Sequence, residues 1–217
     1  MILIEDVFDR HGLAALREAA AALPFEDGAA SAGRLARQVK RNAQAGPGPA
    51  RDAVVAQVEA ALLRHPVFAA AARPKAFARI LISRYGPGQA YGAHVDDALM
   101  QGARTDLSFT LALTPPEDYE GGALVIQDRV ESRGFLLNAG ELVLYPSDTL
   151  HEVQPVTTGE RMAIVGWVTS WIRSPQHRDI LFDLDTAIAA EEAGAGDREQ
   201  LSRLARTRSN LLRLWAE

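Results

Sequence analysis

Short strand-like segments fill the middle of the chain, from residue 75 to residue 174, and they constrain the fold more than any other feature. Each is an apolar run bounded by glycine or proline, and no helical pattern alternates with them. Strands that follow one another without intervening helices favour an antiparallel barrel or a jelly roll over a parallel sheet. We therefore predict a mainly β core. Its strands are expected at residues 77–85, 107–113, 123–126, 141–145 and 161–168.

Helical patterns flank this core on both sides. Asp9 is placed to cap a helix that ends near Ala22, and residues 51–64 repeat apolar side chains at helical spacing. After the core the helical spacing returns, and the small residues 193–196 divide it into two helices. The expected parts are an N-terminal helical support region (1–74), the core (75–174) and a C-terminal helical extension (175–217).

The composition narrows the classes of function. With 217 residues, 47% of them hydrophobic, the chain can bury roughly 70% of its unfolded surface and needs no disulfide to fold. It has no cysteine, which excludes thiol nucleophiles and zinc–thiolate sites. A net charge of -5 argues against a nucleic-acid partner. Because no apolar run approaches the roughly 18 residues of a membrane span and the N-terminus lacks a basic leader, we expect a cytoplasmic protein without a membrane partner.

His94, Asp96 and His151 form a candidate metal site. Two residues apart on an extended strand, His94 and Asp96 would point to the same face and could bind one ion together. His151 lies in a segment that a strand could bring alongside, and two imidazoles with one carboxylate suit ferrous iron. The alternative is a polar pair on the solvent face of a strand, with His151 as a capping histidine. Asp97 is expected to face away.

Arg161 adds a candidate anchor for an acidic co-substrate, because an arginine fork can hold a carboxylate with two hydrogen bonds. It precedes the apolar run 162–165, and a hairpin could return it to the pocket of His151. The alternative is a surface arginine on a strand. Trp167 and Trp171 are expected on one side of the same strand, where they would pack in the core or wall the substrate cavity.

Several motifs together resemble a known enzyme family. They are Tyr85-Gly-Pro-Gly-Gln-Ala-Tyr-Gly-Ala-His94-Val-Asp96, Asp106-Leu-Ser-Phe-Thr-Leu, Tyr119-Glu-Gly-Gly122, Leu142-Val-Leu-Tyr-Pro-Ser147, Leu150-His151-Glu-Val and Gly159-Glu-Arg161. On these residues the core is similar to the iron- and 2-oxoglutarate-dependent dioxygenases of the prolyl-hydroxylase type. More closely, the chain resembles the bacterial PKHD-type hydroxylases, a group that includes PiuC-like iron-uptake factors. The segments on either side of the core also resemble that group, for example at Ala32-Gly33 and at residues 181–188. The resemblance therefore extends over almost the whole chain.

The resemblance implies a double-stranded β-helix, a cupin-like jelly roll, in which His94, Asp96 and His151 bind Fe(II). It implies that Arg161 binds the distal carboxylate of 2-oxoglutarate and that Tyr85 can hydrogen-bond this co-substrate. O2 would be the second co-substrate, ascorbate the reductant, and the reaction the hydroxylation of an unactivated C–H bond. The substrate would be a protein side chain or a small metabolite, with a link to iron uptake.

The chain departs from the family pattern at two positions, and two other classes of function remain as alternatives. Prolyl 4-hydroxylases usually carry lysine where Arg161 stands, and Ala163 replaces a small polar residue that is frequent in other arginine-type members. A cupin-like sensor could bind metal without catalysis, although it would need no anchor such as Arg161. A nucleic-acid demethylase would use the same triad, but the acidic net charge argues against it. The C-terminal helices are expected to pack against the barrel, with a contact between two copies of the chain as the alternative.

Overall fold

The computed structural model describes residues 1–31, 33, 36–127, 130–194 and 196–217. Within these residues the helices are α1 Arg10–Ala21, α2 Pro49–Arg64, α3 Pro66–Ala72, α4 Pro175–Ala193 and α5 Arg198–Trp215. The strands are β1 Ile2–Ile4, β2 Phe25–Asp27, β3 Lys40–Arg41, β4 Ala43–Ala45, β5 Pro74–Tyr85, β6 Ala90–His94, β7 Leu99–Met100, β8 Ala103–Arg104, β9 Leu107–Ala112, β10 Tyr119–Gly121, β11 Leu124–Gln127, β12 Ser132–Phe135, β13 Leu142–Pro146, β14 Leu150–Val153, β15 Val156–Gly159 and β16 Arg161–Ser170.

Two antiparallel sheets face each other and enclose the centre of the molecule. The larger sheet has the strand order β1-β13-β9-β16-β5-β4-β2, and the smaller one has the order β12-β11-β14-β6-β3. The pairs β10–β15 and β7–β8 form two short ribbons. All five strands expected from the sequence are present as β5, β9, β11, β13 and β16. The architecture is the predicted jelly roll with flanking helices.

The larger sheet separates a helix-packed core from the interior of the barrel. Alternate residues of a strand point to opposite faces, and Ile82, Phe109 and Ile164 point towards the helices. Burying a side chain such as Leu62 contributes roughly 1.5–3 kcal/mol, so this layer stabilises the sheet on which the site is built. The helices contribute Leu16 and Ala20 from α1, Val54, Val58 and Leu62 from α2, and Phe68 from α3.

The N-terminal part is not only helical, which corrects the prediction for residues 1–74. Four of its segments are strands: β1, β2 and β4 join the larger sheet, and β3 joins the smaller one. Each has only two or three residues, too few to show an alternating pattern in the sequence. The boundaries proposed at residues 74 and 175 stay a prediction. Ala32, part of the N-terminal similarity, lies outside the described residues.

Two helices follow the core, as predicted, although Ala195 in the segment between them lies outside the described residues. Arg178 of α4 is buried, and its Nη1 donates to the carbonyl oxygens of Ile172 at 2.8 Å and Arg173 at 2.9 Å. These bonds fasten α4 to the end of β16. No single helix in the described part of the chain has the length and apolar character of a membrane span; α2 and α3 reach them only as a pair bent by 85°.

Candidate metal centre

Three buried side chains converge where β6 and β14 lie side by side. His94, the last residue of β6, pairs in register with His151 of β14. The Nε2 atoms of His94 and His151 lie 3.9 and 3.7 Å from the two carboxylate oxygens of Asp96. One donor atom from each residue lies within 4.8 Å of the others. Asp96 reaches this cluster from the loop after β6, so the prediction that it continues the strand was wrong.

Backbone carbonyls orient both imidazoles. Nδ1 of His94 lies 2.8 Å from the carbonyl oxygen of Gly92, and Nδ1 of His151 lies 2.9 Å from that of Thr149. Because a carbonyl only accepts, each Nδ1 carries the proton and each Nε2 turns its lone pair towards the cluster. Burial and then the neighbouring His151 lower the pKa of His94 to about 4. The ring is therefore neutral at pH 7, as a metal ligand must be.

Two serines hold the carboxylate of Asp96 in place. Ser108 Oγ donates to Asp96 Oδ2 at 2.6 Å and lies 2.9 Å from Ser147 Oγ. Since the single proton of Ser108 goes to the carboxylate, Ser147 donates to Ser108. Neither serine was predicted from the sequence as a support of the site. The only signal was their position inside motifs shared with the resembled family.

The donor set fits a divalent metal such as Fe(II), for which two imidazoles and one carboxylate are suitable ligands. The Asp96 side chain is only 5% exposed, and a carboxylate buried to this extent requires a positive partner. All three side chains line one cavity. That arrangement leaves coordination positions open to small molecules.

Two tyrosines pack on the histidine rings and restrict their rotation. Tyr91 stacks on His94 with ring centres 3.6 Å apart, and Tyr145 meets His151 edge-on at 5.1 Å. Burial raises the pKa of both phenols above the ordinary value. Both side chains are therefore neutral hydroxyls at pH 7.

Arg161 and Tyr85 are cross-strand partners at the start of β16 and the end of β5. The guanidinium carbon lies 5.4 Å from the centre of the Tyr85 ring, and Arg161 is 5% exposed. None of the carboxylates that the structure describes pairs with it. Gly122 makes room for this arginine, because a Cβ at that position would lie 3.0 Å from Cδ of Arg161. Burial raises the pKa of Tyr85 to about 12, so its hydroxyl keeps its proton.

The cavity lined by the three candidate ligands extends from β6 and β14 of the smaller sheet to β5, β9 and β16 of the larger one. Leu124 and Val153 give it an apolar wall beside the histidines. Tyr85 also lines it while belonging to a buried hydrophobic cluster, and its contact with a co-substrate stays a prediction. Arg161 does not form part of the wall; its guanidinium lies beside the ring of Tyr85, which does.

Trp167 lines the cavity, whereas Trp171 lies outside it and is 46% exposed. The pairing of β16 with β5 shifts register after Trp167 and again before Ser170, where the strand ends. These irregularities break the two-residue alternation, so the prediction that both tryptophans face one side was wrong. Asp97 also lines the cavity, because the chain after β6 is a loop without strand alternation, so the prediction that it faces away was wrong. Further cavity residues that were not predicted are Lys40, Gln44, Arg79 and Ser83.

Comparison with known families matches both the core and the C-terminal helices. A family model described as the 2OG-Fe(II) oxygenase superfamily matches residues 80–169. A second model, described as the PKHD-type hydroxylase C-terminal domain, matches residues 176–217. A PKHD-type hydroxylase of Parvibaculum lavamentivorans is 52% identical over 89% of this chain and 88% of its own. Another, from Acaryochloris marina, is 42% identical over the whole of both chains.

Solved structures share the fold at low sequence identity. A 2OG-Fe(II) oxygenase family oxidoreductase from Burkholderia pseudomallei superposes with a TM-score of 0.58 at 20% identity, covering 76% of this chain and 82% of that one. A prolyl-4-hydroxylase from Pseudomonas putida gives a TM-score of 0.53 at 22% identity, covering 78% and 91%. At these identities the likeness concerns the jelly-roll fold alone.

Proposed function

The chain belongs to the PKHD-type hydroxylases of the 2OG-Fe(II) oxygenase superfamily, and from this premise we propose that His94, Asp96 and His151 hold the iron at which it hydroxylates a C–H bond. The observation that carries the assignment is the convergence of their three buried donor atoms within 4.8 Å. Family membership supplies the co-reactants, which are Fe(II), 2-oxoglutarate and O2. Bound iron would supply the oxidising chemistry, with succinate and carbon dioxide formed from the keto acid.

The protein's own part in this chemistry is to orient the ligands and keep water out. Gly92 and Thr149 fix the histidine tautomers through their carbonyls, and Ser108 fixes the carboxylate rotamer of Asp96. Leu124 and Val153 make the adjacent wall apolar, which strengthens every electrostatic contact inside the cavity. The open side of the triad leaves space for the keto acid, O2 and the bond to be oxidised.

Arg161 and Tyr85 are our candidates for binding 2-oxoglutarate. A buried guanidinium that pairs with no described carboxylate is suited to the distal carboxylate of the keto acid, and each charge-assisted hydrogen bond contributes about 1.5–3 kcal/mol. The protonated hydroxyl of Tyr85 can donate a further bond from the cavity wall. A metal-binding sensor without catalysis would have no use for this pair.

The finer features of the reaction rest on the resemblance described above. We propose ascorbate as the reductant that keeps the iron ferrous. The substrate would be a protein side chain or a small metabolite, with a link to iron uptake. The net charge of -5 argues against a nucleic acid as the substrate.

Anaerobic titration with 2-oxoglutarate tests the proposed site. Folded protein loaded with Fe(II) is expected to develop a metal-to-ligand charge-transfer band as the keto acid binds. In Arg161→Met the concentration that gives half of the full band should rise by about tenfold or more, because the distal carboxylate loses its charge-assisted bonds. Arg84→Met is the matched control, since Arg84 lies on the other face of β5 and pairs with Glu160.

The two parts of the proposal can fail separately. If folded wild-type protein gives no band, 2-oxoglutarate does not bind at the metal and the proposed function is wrong. If Arg161→Met and Arg84→Met need the same concentration of keto acid, Arg161 is not its anchor.

A further inference from the structure

Asn42 lies where the chain passes from one sheet to the other. It is the single residue between β3, which pairs with β6 of the smaller sheet, and β4, which pairs with β5 of the larger one. Ala43 and Arg84 are partners in the antiparallel pairing of β4 with β5, which places Asn42 opposite Tyr85, one step further along. Tyr85 in turn pairs with Arg161. Asn42, Tyr85 and Arg161 therefore form one row across the end of the larger sheet.

The carboxamide of Asn42 is buried without a satisfactory partner. Asn42 is 3% exposed, and neither Oδ1 nor Nδ2 of its side chain has a hydrogen-bond partner among the described residues. Native proteins rarely leave a buried amide in this state, and a role in function is one of the explanations when they do. A purely structural role does not explain this side chain, since it completes no hydrogen bond.

The backbone at Gly28 holds the amide in place. The N–H of Gly28 donates to the backbone carbonyl oxygen of Asn42 at 2.8 Å. Gly28 also makes room for the side chain, because a Cβ at position 28 would collide with Oδ1 of Asn42. Oδ1 is thus the amide atom that faces Gly28, and Nδ2 is the atom available to Tyr85.

Tyr85 is the group on which this amide can act. Burial raises the pKa of the Tyr85 hydroxyl to about 12, whereas the charge of Arg161 and the approach of the Asn42 amide lower it. The amide is therefore near the phenol oxygen, although the two groups fall short of full hydrogen-bond geometry. Tyr85 lines the cavity, and Asn42 is not among the described residues that do. Any effect of Asn42 on a ligand would thus pass through Tyr85.

The chemistry of a phenol gives this contact a direction. A tyrosine hydroxyl has one proton to donate and lone pairs with which to accept. If it accepts from Nδ2 of Asn42, it can send its only proton to a ligand in the cavity, and polarisation by the first bond strengthens the second. Ser147 and Ser108 act on the carboxylate of Asp96 through the same kind of chain.

We propose that Asn42 is a positioning residue for 2-oxoglutarate: its carboxamide donates to the Tyr85 hydroxyl and so directs the hydroxyl proton to the co-substrate. The proposal rests on the proposed function, because it assumes that Tyr85 binds the keto acid. It explains why an amide without a completed hydrogen bond is kept in the interior, since such a group lowers stability in favour of binding.

Anaerobic titration of Fe(II)-loaded protein with 2-oxoglutarate measures this effect. In Asn42→Ala the concentration that gives half of the full charge-transfer band should rise by about threefold to tenfold, the amount expected for one neutral hydrogen bond. Tyr85→Phe should cause a similar rise. Combining the two changes should add nothing further, because Asn42 acts through the hydroxyl that Tyr85→Phe removes. Asn210→Ala, a change at an exposed residue of α5, is the control.

Stability distinguishes this role from a purely structural one. Because the amide completes no hydrogen bond, Asn42→Ala should unfold at the same denaturant concentration as wild-type protein or a higher one, and its affinity for Zn(II) should not change. A purely structural amide would instead lower the midpoint and leave the binding of 2-oxoglutarate to the folded protein unchanged. Asn42→Val, which fills more of the space, serves the same test if the alanine variant does not fold.

Two results would overturn the inference: an unchanged requirement for the keto acid in folded Asn42 variants, or an effect of Asn42→Ala that persists when Tyr85 is already phenylalanine. Either result together with a normal band in wild-type protein rejects this inference alone. The absence of a band in folded wild-type protein rejects the proposed function instead.

Discussion

The orientation of the Asp96 carboxylate depends on two linked serine hydroxyls, because Asp96 reaches the candidate metal site from a loop. Ser147 donates to Ser108, and Ser108 donates to Oδ2 of Asp96 at 2.6 Å. A loop carboxylate without this bond could turn away from the two histidines. We therefore expect Ser108→Ala to lower the affinity for Fe(II) or Zn(II) by about 10–100-fold, as is typical when a partner of a metal ligand is removed.

Metal affinity in the serine variant can be measured by competition with a chelator under anaerobic conditions. Ser132→Ala is the control, since Ser132 is an exposed residue of β12 at the edge of the smaller sheet. Equal affinities in the two variants would show that Ser108 does not position the carboxylate.

At the scale of elements, the long strands could be predicted from the sequence and the short ones could not. β5 and β16 form near the expected positions because their apolar runs are long and bounded by glycine or proline. β3 and β4 are two and three residues long, and pairing with the neighbouring strands defines them. The predicted position of Trp171 was wrong because a register shift arises from the pairing of two strands. Such a shift leaves no periodic signal in the sequence of either strand.

The C-terminal helices are joined to the core by a partly buried ion cluster. Asp185 of α4 accepts from Nη2 of Arg73 at 2.5 Å, and Nε of Arg208 from α5 also donates to it. The Arg73 side chain is 7% exposed. Removing the carboxylate would leave a buried guanidinium without its counter-charge, so Asp185→Ala should lower the free energy of unfolding by about 3 kcal/mol.

Chemical denaturation measures this effect, and Asp183→Ala provides the control. Asp183 lies on the same helix but is exposed, and its loss should change the free energy of unfolding by no more than about 0.5 kcal/mol. Similar small changes in both variants would mean that solvent satisfies Arg73 and that the cluster is not what fastens α4.

At the scale of the whole molecule, the candidate site exists only after the barrel closes. His94 and His151 become neighbours through the pairing of β6 with β14, whereas Ser108 and Arg79 belong to the opposite sheet. Motif resemblance could identify the three candidate ligands that the structure brings together, because it uses residue identity and order. It could not predict Arg79, since which side of a strand faces the cavity depends on register across several strands.

Because the site is made by the folded barrel, metal binding should stabilise the whole molecule. The unfolded chain does not hold His94, Asp96 and His151 within 4.8 Å of one another, so the ion binds mainly the folded state. At a free metal concentration of about 100 times Kd, this linkage contributes about 2.7 kcal/mol, or roughly 5–10 °C in Tm for a chain of this size. Thermal unfolding with and without anaerobic Fe(II) should show that increase in wild-type protein and in His11→Ala, which changes an exposed histidine of α1. His94→Ala should lose it, and an equal increase in His94→Ala would place the metal elsewhere on the molecule.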